Sequence, residues 1–394
     1  MTIPVKPTEP SSSPCIPQYS RQDRQQPALL TGRSLPLDLL KAFAILMVIF
    51  YHNGQLDPGS VADNLLMMLP NAAVPCFFMA SGAVFFHRSF DMQKHLRRMV
   101  RFYLTVVAWK LIYLALYWHW GAPVNGSLRA LMSYLLLFQH LDGVGTAHFW
   151  FMDAMLTVMF VSPVLYLCYH NKDTDPAHSR ISLPGHSQLL LFLLAVLVMF
   201  NQLPAAGNLA ARVVSLMTGK PEWNISPLGE VNPFSFRYSN YFTYYLLGAL
   251  LMEYREKISK RTSAALILAG TAGLLCAKYV QTGSFLWNGI YLENGYYWFS
   301  TMILSAGLFL FFTRLDIREH TIASWIAVHV GASTMGIFYL HIPLIFVLAP
   351  ALFARLQPCN GWLVNLTESC LVILLSLPII WAGRKLPVIR NLFG

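Results

Sequence analysis

Charge is scarce in this chain. Only 12% of its 394 residues are Asp, Glu, Lys or Arg while 56% are hydrophobic, against roughly 25% charged residues in an ordinary soluble domain. Mean hydropathy is +0.49. That combination excludes a soluble globular protein and points to a polytopic membrane protein. Cysteine offers no framework either: of six, Cys76, Cys168, Cys276 and Cys370 lie inside apolar runs, and none has metal-ligand or redox spacing, so neither a disulfide scaffold nor a metal site is expected. There is no Gly-x-Ser-x-Gly elbow, no phosphate-binding Gly-rich loop and no His-Glu-x-x-His, which removes the hydrolase, P-loop and zinc-protease signatures. No internal repeat and no matched pair of Gly- or Pro-broken helices argues for an inverted-repeat transporter. Residues 1–35, rich in Pro, Ser, Gln and Arg, lack an apolar core of signal-peptide length. They are expected to form a disordered cytoplasmic tail, with the first spanning helix retained. The net charge of +10 sits in short segments between apolar runs, the pattern of topology signals and not of a nucleic-acid surface.

What is present is a succession of apolar runs near 36–53, 65–86, 102–118, 149–169, 188–204, 240–253, 262–279, 296–313, 333–353 and 362–382. They predict an all-α transmembrane bundle of about ten spanning helices in the lipid bilayer. A further run, 128–140, is short for a span. With the amino terminus inside, leaving it uncrossed puts Arg88–Arg101, Arg255–Arg261, Arg314 and Arg384–Arg390 in the cytoplasm and only Arg129, Arg212, Lys220, Arg237 and Arg355 outside. Counting it as a span reverses the Arg255–Arg261 cluster, against the positive-inside tendency. Residues 128–140 are therefore expected to form a re-entrant or interfacial helix, 36–383 a single membrane domain, and 384–394 a cytoplasmic tail.

The first run carries three ionisable groups, Asp38, Lys41 and His52. Eleven residues separate Lys41 from His52, close to a whole number of helical turns, so both project from one face about 16 Å apart along the axis. Polar groups on a spanning helix normally face a protein interior or a wet cavity; the plainer reading is an interfacial Asp38/Lys41 pair and a His52 at the far headgroups. Ser81-Gly82 reads as a small-residue helix contact. Arg97, Arg98 and Arg101, on nearly one helical face, suit either positive-inside anchoring or a polyanion such as a nucleotide diphosphate. His148 reads as wet, and Trp150 with Phe151 as interfacial aromatics. His341 lies within an apolar run and needs a partner there, whether structural or functional.

Taken together these segments resemble the integral-membrane acyltransferase family three, bacterial enzymes that O-acylate surface polysaccharides. Within that family the chain looks like the enterobacterial common antigen O-acetyltransferase branch. The likeness rests on Lys41 and His52 as a basic residue, ten others and His; on Val74-Pro75-x-Phe77-Phe78-Met79-x-Ser81-Gly82 and the arginines after it; on His148-x-Trp150-Phe151 and Val161-Ser162-Pro163; and on Tyr244-Tyr245-x-x-x-Gly248 and Tyr339-x-His341. It covers about residues 36–382 and departs at Lys41, where arginine is common; an ammonium lacks the bidentate fork of a guanidinium. The resemblance implies transfer of acetyl from cytoplasmic acetyl-CoA to a sugar hydroxyl of an exported or lipid-linked glycan, at the bacterial inner membrane and without a metal. It implies catalytic roles for His52, as base or as carrier of the acyl group, and for Lys41 and Asp38; donor binding by Arg97, Arg98, Arg101 and Ser81; and acceptor binding by His148, Trp150, Tyr339 and His341, the last orienting the acceptor or supporting His52. A transporter or flippase using the same polar groups, and a non-catalytic scaffold, are the competing classes.

Overall fold

The computed structural model describes residues 33–53, 61–124, 126–137, 139–170, 187–221, 238–282, 295–356, 361–387 and 389–393. Every regular element among them is helical: α1 (Leu35–Asn53), α2 (Val61–Leu66), α3 (Ala73–Phe86), α4 (Met92–His119), α5 (Leu128–Leu136), α6 (Trp150–His170), α7 (Ser187–Asn201), α8 (Leu203–Thr218), α9 (Ser239–Tyr254), α10 (Lys260–Thr282), α11 (Phe299–Thr313), α12 (Ile322–His329), α13 (Thr334–Leu356) and α14 (Gly361–Lys385), joined in places by short 3-10 turns. Helices satisfy their backbone groups internally, which a bilayer demands because it offers no water to do so. Of the expected tail over residues 1–35, residues 1–32 lie outside the described residues, and Leu35 opens α1.

Among the described residues seven stretches are long and apolar enough to cross a membrane: Leu35–Asn53, Leu69–Phe86, Met92–His119, Ala147–His170, Lys260–Val280, Ile322–Ala351 and Gly361–Lys385. This is an integral membrane helical bundle. The α7–α8 pair qualifies only as one span bent by 42°; Pro204 at the start of α8 has no N–H to carry the helix through the break. Two more of the apolar runs form short helices, α9 of 16 residues and α11 of 15. Nearly all of α9 is buried against other helices, so its length answers to protein neighbours and not to lipid. α5 has nine residues, about 13 Å, less than half of a hydrocarbon core. It is strapped to the middle of α4: Lys110 Nζ donates to the Tyr134 carbonyl at 2.8 Å, and the Tyr134 hydroxyl donates to the Lys110 carbonyl at 3.1 Å.

α1 runs through the centre and packs on α3, α11, α12, α13 and α14. α3 and α9 approach backbone to backbone, because a Cβ on Gly82 would strike the Tyr245 carbonyl and one on Gly248 would strike the Met79 backbone. At one end of the bundle the Arg33 guanidinium bonds Asp38 and the carbonyls of Ala327 and Val328 at the end of α12, where a helix presents unpaired carbonyls and the negative end of its dipole. Arg314 at the same end donates to the carbonyls of Arg255, Ile258 and Ser259. The segment after α14 folds back into the bundle, with Trp109 Nε1 donating to the Leu392 carbonyl at 2.9 Å and Phe393 buried.

Candidate active site

Two cavities lie one behind the other along α1, walled by the same helices. The first, of about 380 Å³, is lined by Tyr51 and His52 of α1, His148 beside α6, Trp150 and Phe151 of α6, and Tyr241 of α9, and is closed by Tyr238 and the turn Gly295–Tyr297. The second, of about 450 Å³, is lined by Lys41 of α1, Ser81 of α3, Arg88, Lys94, His95 and Arg98 at the start of α4, and Ser162 and Tyr245. One is aromatic with imidazoles at its floor; the other is basic. Between them stands an aromatic partition, with Phe78 stacked on Tyr241 at 4.8 Å and edge-on to Phe151 at 5.5 Å, and Phe77 against Phe151 at 5.7 Å.

Three histidines come together at the first cavity, two of them, His52 and His148, in its lining. His52, His148 and His341 form a triangle with ring centroids 5.3 Å apart for His52 and His341, 6.3 Å for His52 and His148, and 5.1 Å for His148 and His341. Of the three only His52 is exposed, and it opens on the cavity. His148 is buried, not wet as its loop position led one to expect, because the turn Ala147–Phe149 tucks it under α4, where its Nε2 lies 3.2 Å from the Tyr113 hydroxyl. His341 is fully buried, with Nδ1 on the Phe338 carbonyl. Tyr339 stands behind this group, its ring parallel to Trp109 at 5.1 Å and its hydroxyl on the Met152 sulfur at 3.6 Å. Trp150 lines the cavity beside Tyr241 and Tyr296.

The remaining expected residues divide. Lys41 lines the second cavity and pairs with Asp38, which is buried and also bonded to Arg33; neither reaches His52, which lies about 16 Å from Lys41 along α1. All three arginines are exposed; Arg98 lines the second cavity, whereas Arg97 and Arg101 do not. Ser81 lines that cavity too, its hydroxyl donating to the Phe77 carbonyl at 2.8 Å. The rim includes Asp91, the N-cap of α4, whose carboxylate accepts from the Lys94 amide at 3.0 Å; that bond holds its carboxyl below the usual range. Beside the rim, His87 places Nδ1 on the Ala83 carbonyl at 2.9 Å, and Tyr169 donates to Glu253 at 3.1 Å while touching His87 at 3.4 Å. Burial keeps the His87 imidazole below its ordinary value, against the pull of the Glu253 carboxylate. Sequence reading missed Tyr113, Arg88, Lys94 and His95, whose partners lie far along the chain or whose signal is shared with any basic helix start. Among the described residues no group of His, Cys, Asp and Glu is arranged to hold a metal ion.

A family profile described as an acyltransferase domain matches residues 36–384. The chain belongs to the acyltransferase-3 family. Neither the curated proteins nor the solved structures contain a match to it. A membrane acyltransferase of this family requires an acyl donor and an acceptor, and this one has two cavities of opposite character on a shared set of helices.

Proposed function

We propose that this acyltransferase moves acetyl from acetyl-CoA, bound from the cytoplasm at the second cavity, to a hydroxyl of an envelope or exported glycan, or its lipid-linked precursor, in the first. The observation that carries the reading is the pairing of cavities along α1, one holding Lys41 and Arg98 and the other His52. The basic wall suits the phosphates of a coenzyme, with the Arg98 fork the best-shaped donor among them, and Ser81 lies beside it. The aromatic wall, with Trp150 prominent, suits the apolar faces of a sugar ring. Tyr339 and His148 shape that wall and Asp38 fixes Lys41. In this reading the inner-membrane protein has both termini in the cytoplasm and about ten crossings, the short α9 and α11 and the bent α7–α8 pair included. The branch-level likeness to enterobacterial common antigen O-acetyltransferases is part of the same proposal.

A sugar hydroxyl is a weak nucleophile. In the proposed step the open nitrogen of His52 takes the hydroxyl proton as the oxygen attacks the thioester carbonyl; the carbon–sulfur bond breaks and the proton returns to the coenzyme thiolate. In this reading the donor arm passes the ring cluster of Phe77, Phe78 and Phe151 on its way to His52. The test is mass spectrometry of surface glycans from cells with and without the protein, together with thiol release from acetyl-CoA by the purified protein in native-like membranes. Loss of acetyl groups from the glycan without the protein is the expected result; identical glycans and no thiol release overturn the proposal. Replacing His52 with Ala should lower transfer by about 10²–10⁴, the usual contribution of a general base.

A further inference from the structure

The three imidazoles differ in what the protein has already decided for them. His341 Nδ1 faces the Phe338 carbonyl. A carbonyl only accepts, so Nδ1 carries the proton and Nε2 is bare. That Nε2 is buried and has no hydrogen-bond partner among the described residues. His148 is fixed by a longer argument. The Tyr113 hydroxyl has one proton and donates it to the Tyr339 carbonyl at 3.0 Å, while its oxygen lies 3.2 Å from His148 Nε2. Both contacts are satisfied together only when His148 Nε2–H donates to Tyr113, which leaves His148 Nδ1 bare. His148 therefore has no N–H to offer His341. The remaining donor in the triangle is His52.

We infer that His341 is a positioning residue for His52: its bare Nε2 accepts the N–H of His52 on the side away from the cavity. This rests on the reading of His52 as the base. The 5.3 Å between the two ring centroids is the spacing of two imidazoles bridged by a hydrogen bond of about 2.9 Å once both ring radii are included, so the contact closes by turning the exposed His52 ring, with the backbone in place. Held this way, His52 keeps its proton on the inner nitrogen and presents a lone pair to the cavity. When the acceptor hydroxyl gives its proton to that outer nitrogen, the imidazolium formed is still hydrogen-bonded through its inner N–H to His341, which takes no proton itself. A carboxylate does this work in a Ser-His-Asp triad. Here no carboxylate bonds any of the three rings among the described residues, and a neutral imidazole of fixed tautomer takes its place, which spares the membrane interior a buried anion.

The experiment uses the full chain in native-like membranes with acetyl-CoA and the acceptor glycan. His341→Phe keeps a ring and removes the lone pair. Its kcat should fall about 10²-fold or more with both KM values unchanged, and the acid limb of its kcat/KM profile should move to lower pH, because the imidazolium at His52 has lost its acceptor. In His341→Ala, which leaves a vacancy of the right size, added imidazole should restore part of kcat. Wild-type kcat in a folded His341→Phe overturns the inference. So does a loss that falls on KM, leaves the pH limb in place and gains nothing from imidazole, since packing alone explains it. His52→Ala is measured alongside. If it stays active, the base reading itself has failed; if it is inactive while His341→Phe is at wild-type rate, only the positioning role has.

Discussion

Arginine side chains that look alike in sequence are unlike in place, and the difference gives a test with an internal control. Arg98 lines the basic cavity while Arg97 and Arg101 point elsewhere. Lysine keeps the charge at each position but not the planar fork. Losing one charge-assisted hydrogen bond costs about 1.5–3 kcal/mol, so Arg98→Lys should raise the KM for acetyl-CoA roughly ten- to hundredfold. Arg97→Lys and Arg101→Lys should leave it unchanged; steady-state kinetics with varied donor decide, and equal KM in all three returns Arg98 to the role of a topology signal. His87 makes a separate claim at this scale. Its folded-state value lies below the ordinary 6.5, so folding favours the neutral ring: that contribution to stability is complete above pH about 6.5 and is lost as the pH falls through it, where the unfolded chain takes up the proton more readily. His87→Phe should flatten the acid side of a Tm-against-pH curve in detergent, and an unchanged slope would remove His87 from the acid sensitivity. His52 was legible because a polar residue in an apolar run at an eleven-residue step from another stands out. His148 was not, since a residue in a loop looks wet until Tyr113, brought in from α4, covers it. Tyr113 itself bonds a carbonyl 226 residues away, a separation that no local pattern reports.

The elements that the sequence reading placed best are the apolar runs. Long apolar runs such as α1, α4, α6 and α14 declare themselves by length and composition, which the bilayer dictates. α9 was legible too, its run 240–253 matching Ser239–Tyr254 within a residue at each end, but not what surrounds it, which is protein. Its position is set by glycine, with α3 lying so close that a side chain at residue 248 meets the Met79 backbone. Backbone cannot swing aside as a side chain does, so Gly248→Leu forces the helices apart. We expect a loss of about 1–3 kcal/mol or more, seen as a lower Tm, and lower acyl transfer as well, since Tyr241 and Tyr245 on α9 wall both cavities. Gly219, at φ +66 with open space around it, ends α8 in the left-handed conformation; Gly219→Asn, which tolerates that conformation, should cost little and serves as the control. Equal stability for Gly248→Leu and wild type would mean that the close approach is not a constraint. The aromatic partition escaped sequence reading for a related reason. Lys41 and His52 do share one helix, but Phe78, Phe151 and Tyr241 converge from three other helices and separate what the periodicity of α1 alone would join.

At the scale of the whole molecule, one end of the bundle gathers segments that the sequence separates widely. Arg33, Arg255, Lys260 and Arg314 line one groove, Arg314 bonds the α9–α10 turn directly, and Gly331 packs on the Asp38 backbone while Arg384 bonds the Ala332 carbonyl. The start of α1, the α9–α10 turn and the end of α14 therefore lie at the same end of the bundle. In the proposed topology positive charge makes that side the cytoplasmic one. On the ten-crossing reading, with α7–α8 as one crossing and α9 as another, the nine-residue α5 returns to the face it left, because a crossing there would put an odd number of spans between Arg33 and Arg255 and pull the groove apart. Two single cysteines in a cysteine-free background test this. Glu256→Cys, on an exposed residue of the α9–α10 turn, should react with an impermeant maleimide in inverted vesicles and be protected in intact spheroplasts. His140→Cys, exposed after α5, should do the reverse. Labelling of Glu256→Cys from outside would sink the ten-crossing count and turn the basic cavity away from cytoplasmic acetyl-CoA, so the donor assignment would fall with it. Labelling of both positions from the cytoplasmic side would instead place the loop after α5 inside, and the aromatic cavity at His52 would lose its claim to an acceptor arriving from the outer face.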